Sequence, residues 1–433
     1  MEHVVTRGQP RALAAVRSMV LGPAPHAVLF VGPASSGKTT LAMDLAAGLL
    51  CLDPDPAARP CRTCRGCHQV ASGNHPDLHR LAPDGPGGQV RIGKATDPEP
   101  GTVRHLIGEL ALLPVEGGAR VALVEQAHRL NEDAQNALLK MLEEPPQGVT
   151  IVLCADDEDC LLPTVRSRCT RVRLGPVAGR EIERWLGELG AADAPQAARL
   201  ARLSEGSPGL ALAYARSPDA GRLRGEIARG LLDMFTAGPQ VRLAAIRSLV
   251  GSAAALDAAL EAGRRGGATA SDTSPAAPRR RGARASVQTG PVAGPAAGAP
   301  EAEDTAATGR VSASDRRSAA VTLVGIWASV ARDVAIAGLG AGSQVGDPEL
   351  IEEFRAAAQR LPVEALPSFL ARLTEAGAQL DENVNPELEL DVLALAWPKG
   401  GGGAAGVARP EAAGAASRQA AGSASPGPLG PRQ

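Results

Sequence analysis

"LFVGPASSGKTTLA", Leu29 to Ala42, is the stretch whose reading decides the fold. An apolar run enters a turn rich in Gly, Pro and Ser, and a helix-like run leaves it. Gly32 and Gly37-Lys38-Thr39 fill the G-x-x-x-x-G-K-[ST] pattern in the strand–turn–helix setting that the pattern needs. The chemistry follows from that setting. Backbone N–H groups of the turn and the N-terminus of the next helix cradle phosphate oxygens. Gly32, Ser36, Gly37, Lys38, Thr39 and Thr40 are therefore the candidate nucleotide contacts. Lys38 would neutralise the outer phosphates and Thr39 would ligate Mg²⁺, which makes ATP with Mg²⁺ the expected ligand. Lysine is scarce in this chain. Only Lys38, Lys94, Lys140 and Lys399 occur, and arginine supplies the other basic residues.

Outward from the loop, strand-like and helix-like runs alternate. Pro10–Leu21, Lys38–Leu50 and Asn131–Leu142 read as helices, the last with Asn131 as its N-cap. His26–Val31, Ala119–Val124, Thr150–Cys154 and Thr170–Leu174 read as buried strands. Such alternation predicts a parallel sheet covered on both faces. In "VALVEQAHRL", Val121 to Leu130, the strand ends in Glu125-Gln126. A phosphate-loop ATPase usually places an Asp for Mg²⁺ and then a Glu for the attacking water at those positions. The loop is complete, and the group that would use it is altered. Asp156, Asp157 and Glu158 remain candidates for orienting water in a variant ATPase.

Between the phosphate-loop helix and the next strand lies "CLDPDPAARPCRTCRGC", with Cys51, Cys61, Cys64 and Cys67. Two C-x-x-C steps share Cys64. Four thiolates can close a tetrahedral Zn²⁺ site, and a closed site is structural because no position is left for water. Free thiols or a redox C-x-x-C pair are the alternatives.

Composition limits the rest. The chain has 433 residues, a formal net charge of -2, 44% hydrophobic residues and 2% aromatics, so its cores must rely on Leu, Val and Ala. The charge does not announce a nucleic-acid binder. With no signal-like start and no run of 18 apolar residues, no membrane span and a cytoplasmic location are expected. Residues 264–314 and 398–433 hold no aromatic and almost no large aliphatic residue, and read as a disordered insertion and a disordered tail. The Arg279-Arg280-Arg281 run reads as solvated linker charge, with nucleic-acid contact as its alternative.

Three further stretches, "GNHPDLHRLAP" (Gly73–Pro83), "NALLKMLEEPP" (Asn136–Pro146) and "LLPTVRSRC" (Leu161–Cys169), join the loop and the cysteines. Together they resemble bacterial clamp-loader subunits of the AAA+ class. The resemblance covers about residues 8 to 215. It implies an α/β P-loop (AAA+) domain at 1–175 with a zinc module at 51–67. A helical lid would follow at 176–240, then an all-α collar at 241–397 interrupted by 264–314.

Glu125-Gln126, and Gly209 where the motor subunit carries a sensor arginine, resemble the delta prime branch of DNA polymerase III rather than the tau/gamma motor. That branch implies ATP binding with poor hydrolysis. It also implies an arginine finger, Arg168, aimed at a neighbour's ATP, and work with tau/gamma, delta, the sliding clamp and primed DNA in replication. The chain would be a subunit of a polymerase holoenzyme and not itself a polymerase. A tau/gamma-like motor and a stand-alone zinc-bearing nucleotide-binding regulator are the competing readings.

Overall fold

The structure is a computed structural model that describes residues 3–83, 89–116, 118–265, 313–361, 365–381 and 384–399. The first part is α/β. Its helices are α1 (Pro10–Leu21), α2 (Lys38–Leu49), α3 (Arg65–Ala71), α4 (Val103–Leu110), α5 (Glu132–Glu143) and the short α6 (Pro163–Arg166). Its strands are β1 (Ala27–Val31), β2 (Leu78–Leu81), β3 (Arg120–Val124), β4 (Val149–Ala155) and β5 (Thr170–Arg173). All pair in parallel, in the order β2-β3-β4-β1-β5.

Alternation along each central strand builds two cores. Leu29, Val124, Ile151 and Leu153 face one cluster with Leu106, Leu110 and Leu138 of α4 and α5. Val28, Phe30, Val121, Leu123, Val152 and Cys154 face the other, with Val16 of α1 and Leu41 and Leu45 of α2. A strand covered on both faces needs apolar residues at every position, and β3 and β4 are buried throughout. The edges differ: β5, "TRVR", buries only Val172. The other edge strand, β2, was not expected from sequence. In "LHRL" the two inner residues are polar, so neither an apolar run nor a period-2 pattern shows. At α5 the Asn131 side chain accepts from the Ala134 N–H at 2.9 Å, the cap that was expected.

The second part is helical: α7 (Gly179–Glu188), α8 (Ala194–Leu203), α9 (Pro208–Arg216), α10 (Pro218–Asp233), α11 (Pro239–Arg265), α12 (Ala313–Gly338), α13 (Ile351–Ala358), α14 (Ala365–Asp381) and α15 (Pro386–Ala396). One apolar cluster runs from Val177 to Trp397. Four of the eight aromatic residues meet within it. Trp397 stacks on Phe235 with centroids 4.4 Å apart and lies 4.5 Å from Phe369 and 5.3 Å from Trp327. Two polar side chains tie this cluster. The Trp397 indole donates to the Leu231 carbonyl at 3.0 Å. Arg242, 1% exposed, donates to the carbonyls of Phe235, Ala237, Ala394, Trp397 and Pro398.

The chain has no run of 18 apolar residues, as expected, but length and average composition are a looser test. Both α11 and α12 are long and apolar enough to cross a membrane by length and composition, each with mean hydropathy 1.5. Their windows mix Ala, Gly, Ser and Thr with Leu and Val, so no uninterrupted apolar run signals them. Here α12 is packed into the helical core through Leu323, Trp327 and Val330. The expected disordered segments 264–314 and 398–433 lie outside the described residues, except at their margins. Arg264 and Arg265 belong to α11, Ala313 and Ser314 belong to α12, and Pro398 and Lys399 follow α15. The Arg279–Arg281 run also lies outside them.

Candidate nucleotide site and cysteine cluster

The phosphate loop sits at the carboxyl end of β1, beside β4, where open parallel sheets present ligand sites. Register puts Val31 opposite Ala155, and the Gly32 N–H donates to the Ala155 carbonyl at 3.3 Å. Gly32 must be glycine. A Cβ there would lie 2.4 Å from the Leu174 carbonyl oxygen. Gly37 caps α2 with φ +96°, and Ser35 has φ 59°, so the backbone curls as an anion nest does. Within the loop Ser36 is buried, and its Oγ has no hydrogen-bond partner. Lys38 folds back over the loop. Its Nζ donates to the Gly32 and Pro33 carbonyls at 2.7 Å and lies 2.7 Å from Asp156 Oδ1. Thr39 and Thr40 occupy the first turn of α2.

The strand-end acids are already committed. Glu125 Oε1 accepts from Arg80 Nε at 2.9 Å and Nη2 at 2.6 Å. Arg80 comes from β2, the neighbour of β3, so the carboxylate at the expected metal position is neutralised by its own sheet. Gln126 is exposed and opens a 3₁₀ turn without a side-chain cap. Of the three acids after β4, only Asp156 reaches the loop, as the partner of Lys38. Asp157 accepts from the Asp159 N–H, and Glu158 pairs with Arg171 and Arg173. Cys154, between Lys38, Glu125 and Asp156, is pushed up to about 12 by burial and stays a neutral thiol.

The helical part touches the loop directly. At the start of α9 the Gly209 N–H donates to the Ser35 carbonyl at 3.3 Å, and the Ser207 hydroxyl to that of Ala34 at 3.3 Å. A Cβ at Gly209 would lie 3.2 Å from the Ser35 oxygen, so the backbone itself packs on the loop where a longer side chain would stand.

At the other end of α2 the four cysteines converge. The Sγ atoms of Cys51, Cys61, Cys64 and Cys67 all lie within 4.8 Å of one another, with Cys51 at 3.6 Å from Cys61 and 3.8 Å from Cys64. Zn–S bonds of about 2.3 Å in a tetrahedron put the sulfurs roughly 3.8 Å apart, and a disulfide would put two of them at about 2 Å. The donor set and spacing fit a closed four-sulfur site, and the cluster can hold a metal ion. Backbone N–H groups of Cys61, Cys64 and Cys67 point at the preceding sulfurs at 3.5, 3.3 and 3.4 Å. The hydroxyl and N–H of Thr63 hold the Cys61 thiol down at about 6, whereas burial pushes Cys51 and Cys67 up. The cluster is joined to α2. Arg62 pairs with buried Asp44, which also accepts from the Thr6 N–H at 2.9 Å and the Thr6 hydroxyl at 2.7 Å.

Arg168 follows α6 and remains partly exposed. It lies 2.7 Å from Glu143, the last residue of α5, and donates to the Thr164 carbonyl at 2.8 Å. It is thus held at the rim by the "LEEPP" stretch of its own chain. Cys169 packs at the edge of the core and is raised to about 11 by burial, as suits a small apolar residue.

A five-stranded parallel sheet with a phosphate loop at the end of its β1 strand has the layout of a P-loop domain. Residues 9–178 match the family model described as DNA polymerase III, delta subunit. The DNA polymerase III subunit delta' of Pseudomonas aeruginosa is 39% identical over 186 residues, which are 42% of this chain and 53% of that protein. The subunit tau of Escherichia coli is 34% identical over 211 residues, 48% of this chain and 30% of that one. A solved gamma subunit-related protein from Thermotoga maritima covers 89% of this chain and 97% of its own at 16% identity, with a TM-score of 0.35. The chain spans about half the length of the delta' relative. Over residues 9–178 the chain is similar to DNA polymerase III delta' subunits, at 35–39% identity to those of three bacteria.

Sequence reasoning missed the partners of the site residues. Arg80 needed the knowledge that β2 lies beside β3. Asp156 was named only as a water-orienting group. Asp44 is one apolar-face neighbour among many in α2 until the chain's start and Arg62 fold onto it. Glu143 sits inside a quoted motif, yet nothing local ties it to Arg168.

Proposed function

We propose that this chain is a delta prime-type subunit of a bacterial clamp loader, working in the cytoplasm. It binds ATP through Gly32, Ser36, Gly37, Lys38, Thr39 and Thr40, hydrolyses it poorly, and lends Arg168 to a neighbouring motor subunit. The observation that carries this is the split within one site. The phosphate cradle is complete, while the carboxylate at the strand end is neutralised by Arg80 and the position after it is Gln126. With Glu125 paired to Arg80 and Gln126 beside it, the loop holds a nucleotide and the chain serves another site. Zn²⁺ in the four-cysteine cluster would brace α2 and do no chemistry. Mg²⁺ would accompany the nucleotide at Thr39.

The partners are tau/gamma and delta subunits, the sliding clamp and, through the assembly, primed DNA. Residues 1–175 would be the nucleotide domain, 176–240 the lid and 241–397 the collar. Arg168 stays partly exposed beside Glu143, so its guanidinium can exchange that carboxylate for a phosphate across an interface. A planar fork spreads charge over phosphoryl oxygens better than an ammonium does.

The test is reconstitution with motor subunits and delta. Arg168→Ala should leave this chain folded and its own ATP binding unchanged. It should cost the neighbouring site roughly 10²–10³ in rate, the price of one donor lost in the transition state. A complex that assembles with Arg168→Ala and turns over like wild type refutes the role. The match to a tau subunit supports a second reading, a motor ATPase. Fast turnover by the isolated chain, abolished in Lys38→Ala, would favour it.

A further inference from the structure

Gly209 leaves the phosphate loop without the arginine that a motor subunit extends from this helix, yet another arginine is already there. Arg264, in the last turn of α11, places Nη2 3.4 Å from the Ser35 hydroxyl, across 229 positions of sequence. Ser35 is a left-handed residue of the nest, and the neighbouring Ser36 hydroxyl is buried without a partner. A buried hydroxyl left unpaired beside a nest marks a cradle built for an oxyanion.

The approach of Arg264 is fixed by packing. A Cβ on Gly263 would lie 2.5 Å from the Ala213 carbonyl oxygen, so only glycine lets the end of α11 close on α9 this tightly. In turn α9 rests on the loop through Gly209 and Ser207. Arg264 itself is exposed, and its charge is felt by Asp257 on the same helix.

We propose that Arg264 contacts the terminal phosphate of a nucleoside triphosphate bound in this chain's own loop and so makes the site prefer triphosphate over diphosphate. This rests on the reading of the loop as a nucleotide site. The arginine comes from α11, a helix that also packs against α12 and α15, so the occupied site is coupled to the far helices. Lys38 reaches the β- and γ-phosphates, release from Asp156 frees it to do so, and Arg264 adds a second contact at the terminal one.

Binding of fluorescent ATP and ADP to the full chain with Mg²⁺ tests this, using wild type, Arg264→Ala, Arg264→Lys and Lys38→Ala. Arg264→Ala should weaken ATP about tenfold, as losing one charge-assisted contact does, and leave ADP within about twofold. Arg264→Lys should recover part of the loss. Lys38→Ala should weaken both nucleotides. Equal losses for ATP and ADP in Arg264→Ala, or no loss, overturn the proposal while the loop reading stands. Wild-type protein that binds neither nucleotide overturns both. Circular dichroism of Arg264→Ala matching wild type separates a lost contact from a lost fold.

Discussion

The two ends of helix α2 and the aromatic knot around Trp397 hold the molecule together by opposite means. Around α2 several ties are made by residues close in sequence. Cys51 to Cys67 fall within one short loop, and Lys38 bonds to carbonyls five and six residues away. Around Trp397 the ties are distant, with Arg242 reaching Trp397 across 155 positions and Trp397 reaching Leu231 across 166. Short-range ties can be written as motifs, and they sit where chemistry is proposed. Long-range ties leave no motif, and around Trp397 they serve to hold the chain in shape. Tryptophan separates the two experimentally. Trp185, Trp327 and Trp397 all lie in the helical part, so indole fluorescence reports that part alone.

Metal removal should have the largest effect, because a structural zinc supplies folding free energy on the order of 10 kcal/mol in small metal-bound domains. In a chain with its own α/β core the effect should be local. Chelation, or Cys64→Ser, is expected to raise hydrogen exchange in α2 and α3, since Cys67 and the Arg62–Asp44 pair lose their frame. Indole fluorescence should stay at its native maximum. Wild-type protein that carries no metal and shows no such exchange would end the zinc reading.

Arg242→Ala should do the reverse. Five carbonyls lose their donor, three of them buried, and cutting a buried charged group out of its network costs about 3–5 kcal/mol. Urea unfolding followed by tryptophan emission should move to a lower midpoint, while nucleotide binding at the loop in the absence of denaturant is retained. A midpoint unchanged from wild type would mean that water replaces the guanidinium at those carbonyls.

The same contrast explains what could be read from the sequence. The phosphate loop and the cysteines were legible because each needs fixed residue types at fixed spacing. The apolar runs of β1, β3 and β4 were legible because strands buried on both faces tolerate little else. β2 was not, since an edge strand can carry His79 and Arg80 at its centre. Arg80 therefore could not be paired with Glu125, although that pair decides what the strand end can do. In the helical part the periodicity was visible but the meeting of Phe235, Trp327, Phe369 and Trp397 was not, because four separate elements must fold before those rings touch.

The smallest expected effect is in acid, and there the two parts should differ in sign. In the α/β part, burial pushes the Asp77 carboxyl up, but N–H groups of Val115 and Glu116 and the charge of Arg120 outweigh it and hold Asp77 below the usual range. A depressed carboxylate stabilises the fold above its unfolded pKa of about 3.9, and the contribution is lost as pH falls through the folded value. In the helical part, burial raises Asp257 and Asp333 despite hydrogen bonds from Ser318 and Thr322 to the first and from the Gly346 N–H to the second. A raised carboxylate is a cost at neutral pH, relieved as pH falls through its folded value toward about 3.9. Asp77→Asn should therefore destabilise the α/β part at pH 7 by about 1–3 kcal/mol, with the difference from wild type shrinking below pH 4. Asp333→Asn should stabilise the helical part or leave it unchanged at pH 7, and its difference from wild type should vanish near pH 4. Hydrogen exchange around β2 and β3 reads the first and tryptophan-detected urea unfolding reads the second. If both variants lost stability at pH 7 and kept that loss at pH 4, hydrogen-bond geometry rather than charge would govern both sites, and the electrostatic half of the contrast would fall.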